Sequence, residues 1–416
     1  MVISMKKQLK IGVIGLGNRG SDLVADVAGM EDTIVAAVCD KYEDRRRDAV
    51  KKVESLAGNT PFSTADYREV LTRGEIDAVV VPTSWADHLC VAIDAMKAGK
   101  YVGVEAGGAY SLDECWELVR TYEETGVPCM LLENCCYGRE EMMVLNMVKK
   151  GLFGEVIHCA GGYHHDLRSE VAFGRENRHY RLANYMHRNG ENYPTHELGP
   201  IAKILGINRG NRMLTCTSVA SKARGLHEYI LREKGEAYDL SRFNFAQGDV
   251  VTTILQCAHG ETIVLTLDTT LPHAYSRGFR VEGTKAMYLE DNNSLFIDGV
   301  HNQDEFKWKE QWNNAEKLRE KYEHPLWKGY SPDSDAGHGG MDYLVLSAFF
   351  DSVRRQVPPP IDVYDAASWM SITALSEQSV AMGGHPVPVP DFTNGRWIDR
   401  EPSPEGPYCL EKICGE

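Results

Sequence analysis

Five short apolar runs recur through the first third of the chain, at residues 11–16, 34–39, 78–81, 101–104 and 130–132. Each is nearly continuous rather than alternating, the pattern of a strand buried on both faces of a parallel sheet. Residues 45–56, 86–98 and 112–125 lie between them and repeat apolar side chains three and four apart, so each predicts a helix with one face on a sheet. Strand and helix alternating through short turns predict an α/β fold that opens with a doubly wound sheet.

The pattern changes after Leu132. A helix is predicted at 139–150, stopped by Gly151, then a strand at 156–162. Residues 163–192 form a polar stretch rich in His, Arg, Asn and Tyr. They read as a long loop, and a loop of that length in a compact domain is usually functional. A helix at 195–205 follows, then strands at 213–221, 250–257, 262–267, 278–282 and 286–289, with a hairpin turn at Asp291-Asn292-Asn293. Residues 302–340 read as polar and irregular. Helices at 343–354 and 366–382 precede a proline-rich tail. These elements predict two domains. Residues 1–132 form a Rossmann domain, and 133–416 an α+β domain with an open, largely antiparallel sheet. A length of 416 residues accommodates both.

Composition narrows the partners. With 43% hydrophobic and 25% charged residues the chain is globular. Its net charge of −15 argues against nucleic acid or an anionic membrane, which both require a basic surface. No apolar run approaches the ~18 residues of a membrane span. The eleven cysteines are scattered, none in a Cys-x-x-Cys pair, and the vicinal Cys135 and Cys136 are poorly placed for an ordinary disulfide. Reduced thiols, and an N-terminus running straight into a strand, give a cytoplasmic location as the expectation.

Gly15-Leu16-Gly17-Asn18-Arg19-Gly20 closes the first strand and opens a helix. Gly15 permits the tight turn, Gly17 lets backbone approach a pyrophosphate, and Gly20 lets helix and strand pack closely. Asp40 ends the second strand twenty residues later, where a carboxylate reaches the adenosine ribose hydroxyls. That carboxylate favours NAD over NADP, although Lys41 and the arginines at 45–47 offer compensating charge. Pro82 to His88, Glu105 and Glu133-Asn134 end later strands, on the edge where such sheets bind ligands. They are assigned to the nicotinamide half of the pocket.

These residues resemble the Gfo/Idh/MocA oxidoreductases. Most of that family carries Glu-Lys-Pro where this chain has Glu105-Ala106-Gly107, so the lysine beside the reacting hydroxyl is absent. A narrower resemblance runs from about Lys10 to Trp397. The segments at 133–137, 161–168, 192–200 and 338–342 are similar to glycosyl hydrolase family 109, whose founding activity is an α-N-acetylgalactosaminidase with bound NAD. The resemblance implies that Asn18, Arg19, Asp40, Trp85, His88, Glu105, Ala106 and Asn134 contact NAD. It implies a sugar pocket lined by Tyr163, Arg181, Tyr193, His196 and Tyr275, with Tyr137 a further candidate.

The chemistry implied is redox-assisted: transient oxidation at sugar C3, deprotonation at C2, elimination of the aglycone, addition of water and re-reduction. It needs a base for the C3 hydroxyl, a base for C2–H and donors for the C3 oxygen. His196 suits the first role, because imidazole titrates near neutrality. It sits at the start of a helix with Tyr193 just outside, and Tyr137, Tyr163 and Tyr275 are each candidates for the rest. His164 and His165 on one strand point to opposite faces, so no metal is expected there. Two rival readings are an NAD-dependent sugar or cyclitol dehydrogenase that exchanges its cofactor, and a non-catalytic NAD-binding redox sensor. The open second sheet suggests a homo-oligomer.

Overall fold

The computed structural model describes residues 8–301, 304–330 and 337–413. The early apolar runs build one six-stranded sheet from β1 (Leu9–Ile14), β2 (Thr33–Cys39), β3 (Phe62–Thr64), β4 (Ala78–Val81), β5 (Tyr101–Glu105) and β6 (Cys129–Leu132). The order is β3-β2-β1-β4-β5-β6, and every neighbouring pair is parallel. The crossovers are α1 (Asn18–Gly29), α2 (Glu43–Ala57), α3 (Tyr67–Leu71), α4 (Trp85–Lys97) and α5 (Leu112–Thr125). The order reverses between β1 and β4, which opens a crevice at the carboxyl ends of the strands. Strand β3 and helix α3 escape the hydrophobic pattern, because they are three and five residues long.

The second half begins with α6 (Arg139–Lys149), β7 (Val156–His164), α7 (Arg168–Ala172), α8 (Arg181–His187) and α9 (Thr195–Leu205). Then come β8 (Met213–Ala220), α10 (Gly225–Lys234), β9 (Val250–Cys257), β10 (Thr262–Asp268), β11 (Arg280–Gly283), β12 (Ala286–Leu289) and β13 (Ser294–Ile297). Helices α11 (Glu316–Tyr322), α12 (Pro325–Lys328), α13 (Met341–Arg355) and α14 (Val363–Ala381), and the short β14 (Val387–Pro388), close the chain. The eight strands run β13-β12-β11-β7-β10-β9-β8-β14. All neighbouring pairs are antiparallel except β7 with β10. Along β9, Val251, Thr253, Leu255 and Cys257 are buried, while Thr252, Ile254 and Gln256 are exposed. One face of this sheet is therefore open, as the alternation requires.

Two expected irregular stretches carry helices. Residues 163–192 hold α7 and α8, whose five and seven residues are too few for a periodic signal. Within 302–340 lie α11, α12 and two 3-10 segments, with 302–303 and 331–336 outside the described residues. Helix α14 is buried almost all round, packing on α5, β6 and β8, and so locks the two sheets together. The main core is continuous across both halves, with Phe349, Phe350 and Trp369 at the junction. That continuity fixes how the two walls of the cleft face each other. No helix among the described residues is long and apolar enough to cross a membrane.

Candidate active site

A cleft of about 800 Å³ runs along the carboxyl ends of the parallel strands and is roofed by residues of the second half. Its first wall begins at the glycine turn. Gly15 has φ +103°, and a Cβ there would lie 2.7 Å from the Pro82 carbonyl oxygen. A Cβ on Gly20 would lie 1.9 Å from the Gly15 carbonyl oxygen, so no side chain is tolerated where α1 crosses β1. Gly17 caps α1 and faces the cleft, where a longer residue would fill the space in front of the helix N-terminus. Free N–H groups and the helix dipole make this an anion seat. Asp40 is pinned beside it by the backbone N–H groups of Leu16 and Tyr42, which donate at 2.8 and 2.9 Å. A dinucleotide fits this set: a pyrophosphate on open backbone, and a carboxylate one strand away for the ribose.

Arg19 and Asn18 also line the cleft, but Arg19 is committed to protein partners. Its Nε donates to Glu105 at 2.8 Å, and its terminal nitrogens donate to Asp342 at 2.6 and 2.8 Å. Asn134 Nδ2 donates to Asp342 at 2.8 Å, and His338 Nδ1 lies 2.7 Å from it. Burial opposes charge on Asp342, yet the bonds from His338 and Arg19 outweigh it and hold the carboxyl far below its ordinary range. Thus the start of α13 is bolted onto the first wall. Neither Asp342 nor His338 was assigned a site role by the motif reading, because the link spans over two hundred residues. Glu105 additionally accepts from the Ala106 N–H at 2.9 Å. Gly107 is explained locally: a Cβ there would lie 2.5 Å from the Trp85 indole.

The second wall centres on His196, in the first turn of α9. Its Nδ1 donates to Glu133 Oε1 at 2.8 Å. Glu133, at the end of β6, is 0% exposed and also accepts from the Cys135 N–H at 3.2 Å. Burial alone would raise the Glu133 carboxyl, but His196 outweighs it and keeps it lowered. With Nδ1 so engaged, Nε2 is the nitrogen left for the cleft that His196 lines. Tyr193 and Tyr163 pack on the imidazole, with ring centroids 4.6 and 5.4 Å away. The Tyr163 hydroxyl lies 2.9 Å from His165 Nδ1. Burial pushes the phenols of Tyr163, Tyr193 and Tyr275 above their ordinary value, so they are protonated donors at neutral pH. Burial, aided by Arg181, lowers His165 and keeps it neutral. Arg181 pairs with Glu170, and its guanidinium lies over the Trp85 and Tyr193 rings at 5.2 and 5.5 Å.

Three assigned residues sit elsewhere than expected. Tyr137 is a correction. It is 0% exposed in the core, its hydroxyl donates to the Tyr408 carbonyl at 3.0 Å, and it does not border the cleft. The 3-10 turn at Asn134–Tyr137 aims Asn134 at Asp342 and buries Tyr137. Trp85 lies behind the cleft surface, stacked on Tyr193 at 5.6 Å. Tyr275 is half-exposed beside His165, 5.1 Å between ring centroids. His88 lines the cleft with Nδ1 3.0 Å from the Thr83 hydroxyl, and burial lowers it to about 4. Glu133, expected at the nicotinamide half, is the partner of His196, and the unassigned residues brought into the site are His165, Glu170 and Asp342. Among the described residues, one group has metal-ligand spacing: Glu133, Cys135 and His196, with ligand atoms within 4.8 Å of one another. There Nδ1 is already bonded to Glu133, and burial raises the Cys135 thiol well above its ordinary value.

Fold and first wall together define a class, an enzyme built on an NAD-binding oxidoreductase scaffold. Residues 9–132 match the oxidoreductase family, NAD-binding Rossmann fold. The fold as a whole is that of a levoglucosan dehydrogenase solved with NADH and levoglucosan. The TM-score is 0.70 at 16% identity, over 92% of this chain and 100% of that one. Residues 137–399 match the C-terminal domain of glycosyl hydrolase 109. A Tannerella forsythia α-N-acetylgalactosaminidase is 38% identical over 95% of this chain and 88% of its own. A glycosyl hydrolase family 109 protein of Stenotrophomonas maltophilia is 40% identical over 95% and 91%. The chain belongs to glycosyl hydrolase family 109.

Proposed function

We propose that this protein is an NAD-dependent glycosidase that releases a terminal N-acetylgalactosamine from α-linkage through transient oxidation at C3. The observation that carries the reading is the state of the cleft's ionisable groups. An ordinary glycosidase needs two carboxylates free to serve as acid and base or nucleophile. Here Glu105 is tied to Arg19 and Glu170 to Arg181. What the second wall offers is a His–Glu dyad and protonated phenols, the equipment for moving protons around an oxidised carbon. The name of the Tannerella relative supplies the sugar.

NAD, when bound along the first wall, supplies the hydride acceptor for C3 and returns the hydride at the end of the cycle. Asn18, Asp40, His88, Glu105, Ala106 and Asn134 are the residues we assign to that wall, with Arg19 and Trp85 buttressing it. His196 Nε2 takes the C3 hydroxyl proton, and Glu133 stabilises the imidazolium through Nδ1–H. Tyr193 donates to the C3 oxygen. With C3 a ketone, the C2 proton becomes acidic. Tyr163 takes it while passing its own proton to His165 Nδ1, and the C1 leaving group departs. Water adds its oxygen at C1 and gives up a proton to the departed aglycone oxygen, His165 returns a proton to C2 through Tyr163, and His196 returns its proton to the C3 oxygen. Arg181 orients Tyr193 and the sugar. The packed rings of Trp85, Tyr163 and Tyr193 keep bulk water from the reacting carbons.

Turnover in D₂O tests this. Deuterium is expected at C2 of the released sugar, and a substrate lacking the C3 hydroxyl is expected to be inert. Cleavage without C2 label, or rapid cleavage of the 3-deoxy substrate, overturns the mechanism. Net NADH with the glycosidic bond intact would indicate an exchanging dehydrogenase instead. We further propose residues 1–132 and 133–416 as the two functional units, and a homo-oligomer through the open sheet face, where Ile157, Val219 and Ile254 are exposed. Light scattering checks the latter: a monomer at micromolar concentration rejects it.

A further inference from the structure

The adenosine end of the cleft is closed by a piece of chain that the dinucleotide pattern does not include. Residues 174–181, from the end of α7 to the first residue of α8, border the same cleft as Gly17, Asp40 and Tyr42 with all but Glu176. The segment is anchored to its own half, through Arg175 with Asp239 and Arg181 with Glu170. It meets the other half at two places: Tyr180 and Arg181 pack on Trp85, 4.9 and 5.2 Å away, and at the adenosine end Arg178 alone reaches across. Arg178 donates to both carboxylate oxygens of Asp44, at 3.1 and 2.7 Å, and its guanidinium lies 4.3 Å over the Tyr42 ring. Tyr42 carries the Arg45 guanidinium as well, at 4.9 Å, and Arg45 is the group a side chain on Gly17 would first meet. Arg178 adopts φ +54°, a left-handed conformation that residues with a side chain rarely adopt. Glycine would hold that backbone more easily, so the side chain is kept at some conformational cost.

We infer that 174–181 is a strap completing the cofactor site, and that Arg178 is its latch, holding NAD in place between turnovers. The inference rests on the proposed recycling of NAD within one site. A dehydrogenase must release its reduced cofactor after each turnover. An enzyme that returns the hydride has no such need, and a closed adenosine end suits it. Asp44 and Arg178 are both partly exposed, so the latch is sensitive to salt.

The test is the dissociation rate of bound NAD, followed by exchange against isotopically labelled NAD without any glycoside present. Arg178→Gly preserves the backbone conformation and removes the latch. Asp44→Ala removes its partner, and Arg175→Ala is a control on the strap itself. Arg178→Gly is expected to release NAD about tenfold faster, the size of one exposed ion pair plus one exposed cation–π contact. Asp44→Ala removes the ion pair alone and is expected to quicken release about threefold. Wild-type release is expected to quicken with added salt, and the Arg178→Gly rate to be flat. The charge-swapped double variant Arg178→Glu with Asp44→Arg is expected to recover part of the loss. Release from Arg178→Gly at the wild-type rate, or equal quickening in Arg175→Ala, overturns the latch while leaving the recycling mechanism untouched. Free exchange in wild type, faster still in Arg178→Gly, rejects recycling but keeps the latch.

Discussion

The two walls of the cleft handle charge in opposite ways. On the first, Arg19, Glu105, Asp342 and His338 are bound to one another in one ion-pair network. On the second, burial holds neutral the groups around the His196–Glu133 and Arg181–Glu170 pairs. Tyr163 and Tyr193 are raised, His165 is lowered, and Glu191, whose carboxylate accepts the Tyr193 N–H, is pushed up to about 8. Behind it, Glu141 is raised to about 7 by burial, beside Arg277. The contrast separates two tasks. A wall whose charges satisfy each other is rigid and presents its backbone amides to a ligand's phosphates. A wall that pairs an imidazole with a carboxylate, among protonated phenols and a neutral histidine, has donors and acceptors in place to take and return protons.

The largest expected effect lies on the second wall. His196→Ala is expected to lower turnover by roughly 10²–10⁴-fold, the usual contribution of a general base. Because His196 belongs to the proton-moving wall, NAD content after purification should stay at the wild-type level. Loss of NAD together with turnover would show that the walls are not separable. Asp342→Ala strikes the first wall. It strands Arg19 with Glu105 alone and removes the partner of Asn134 and His338. Breaking a buried pair this way costs about 3 kcal/mol or more, read as a lower midpoint in urea unfolding, with weaker NAD binding alongside. Unchanged stability would mean that the network is ornamental and that the first wall owes its rigidity to packing.

The fold was readable where its signals are local. Continuous apolar runs marked five of the six parallel strands, and glycine spacing with Asp40 marked the dinucleotide seat, since both depend on neighbours a few residues away. What escaped depends on contacts far along the chain. Glu133 looked like a strand end until α9 brought His196 to it. Asp342 matched a motif, yet nothing in that motif said that it would grip Arg19. Tyr137 was misjudged because it sits three residues from Asn134. One 3-10 turn was enough to send it into the core. His165 was weighed only as a metal ligand, although its partner Tyr163, two residues earlier, lies on the same side of the chain at the end of β7.

A smaller effect probes the neutralised wall through pH. Glu191 keeps its proton in the folded protein up to about pH 8, against an ordinary 4.5. The unfolded chain releases that proton earlier. A raised folded-state value gives stability that is complete below pH 4.5 and is lost as pH climbs toward 8, by up to about 1.4 kcal/mol per unit. Glu191→Gln is neutral throughout and escapes the loss. Its stability relative to wild type, from urea melts at pH 5.5 and 7.5, is expected to improve by about 2 kcal/mol across that interval. Parallel curves would show that Glu191 is ionised in the fold, and that the second wall is not a low-charge environment.

The smallest expected effect concerns cofactor choice, and it isolates one charge on the first wall. Asp40 has two functions that substitution can separate. Its carboxylate oxygens hold the turn by accepting from Leu16 and Tyr42, and in the proposed placement of NAD its charge meets the ribose hydroxyls. Asp40→Asn keeps an acceptor for the turn and removes the charge, whereas Asp40→Ala removes both. Arg45 lies 3.7 Å from the carboxylate, and Arg46 donates to the Asp40 carbonyl at 2.7 Å. Without the acid, these cations are left facing a 2′-phosphate. Asp40→Asn is therefore expected to weaken NAD by about tenfold and strengthen NADP by a similar factor, about 1.4 kcal/mol each way. Asp40→Ala should weaken NAD further, because the turn loosens as well, and gain less for NADP. Equal affinities in wild type and Asp40→Asn, measured by protein fluorescence quenching, would assign Asp40 to the turn alone. The adenosine end would then take its preference from the cations around Tyr42, Arg178 included.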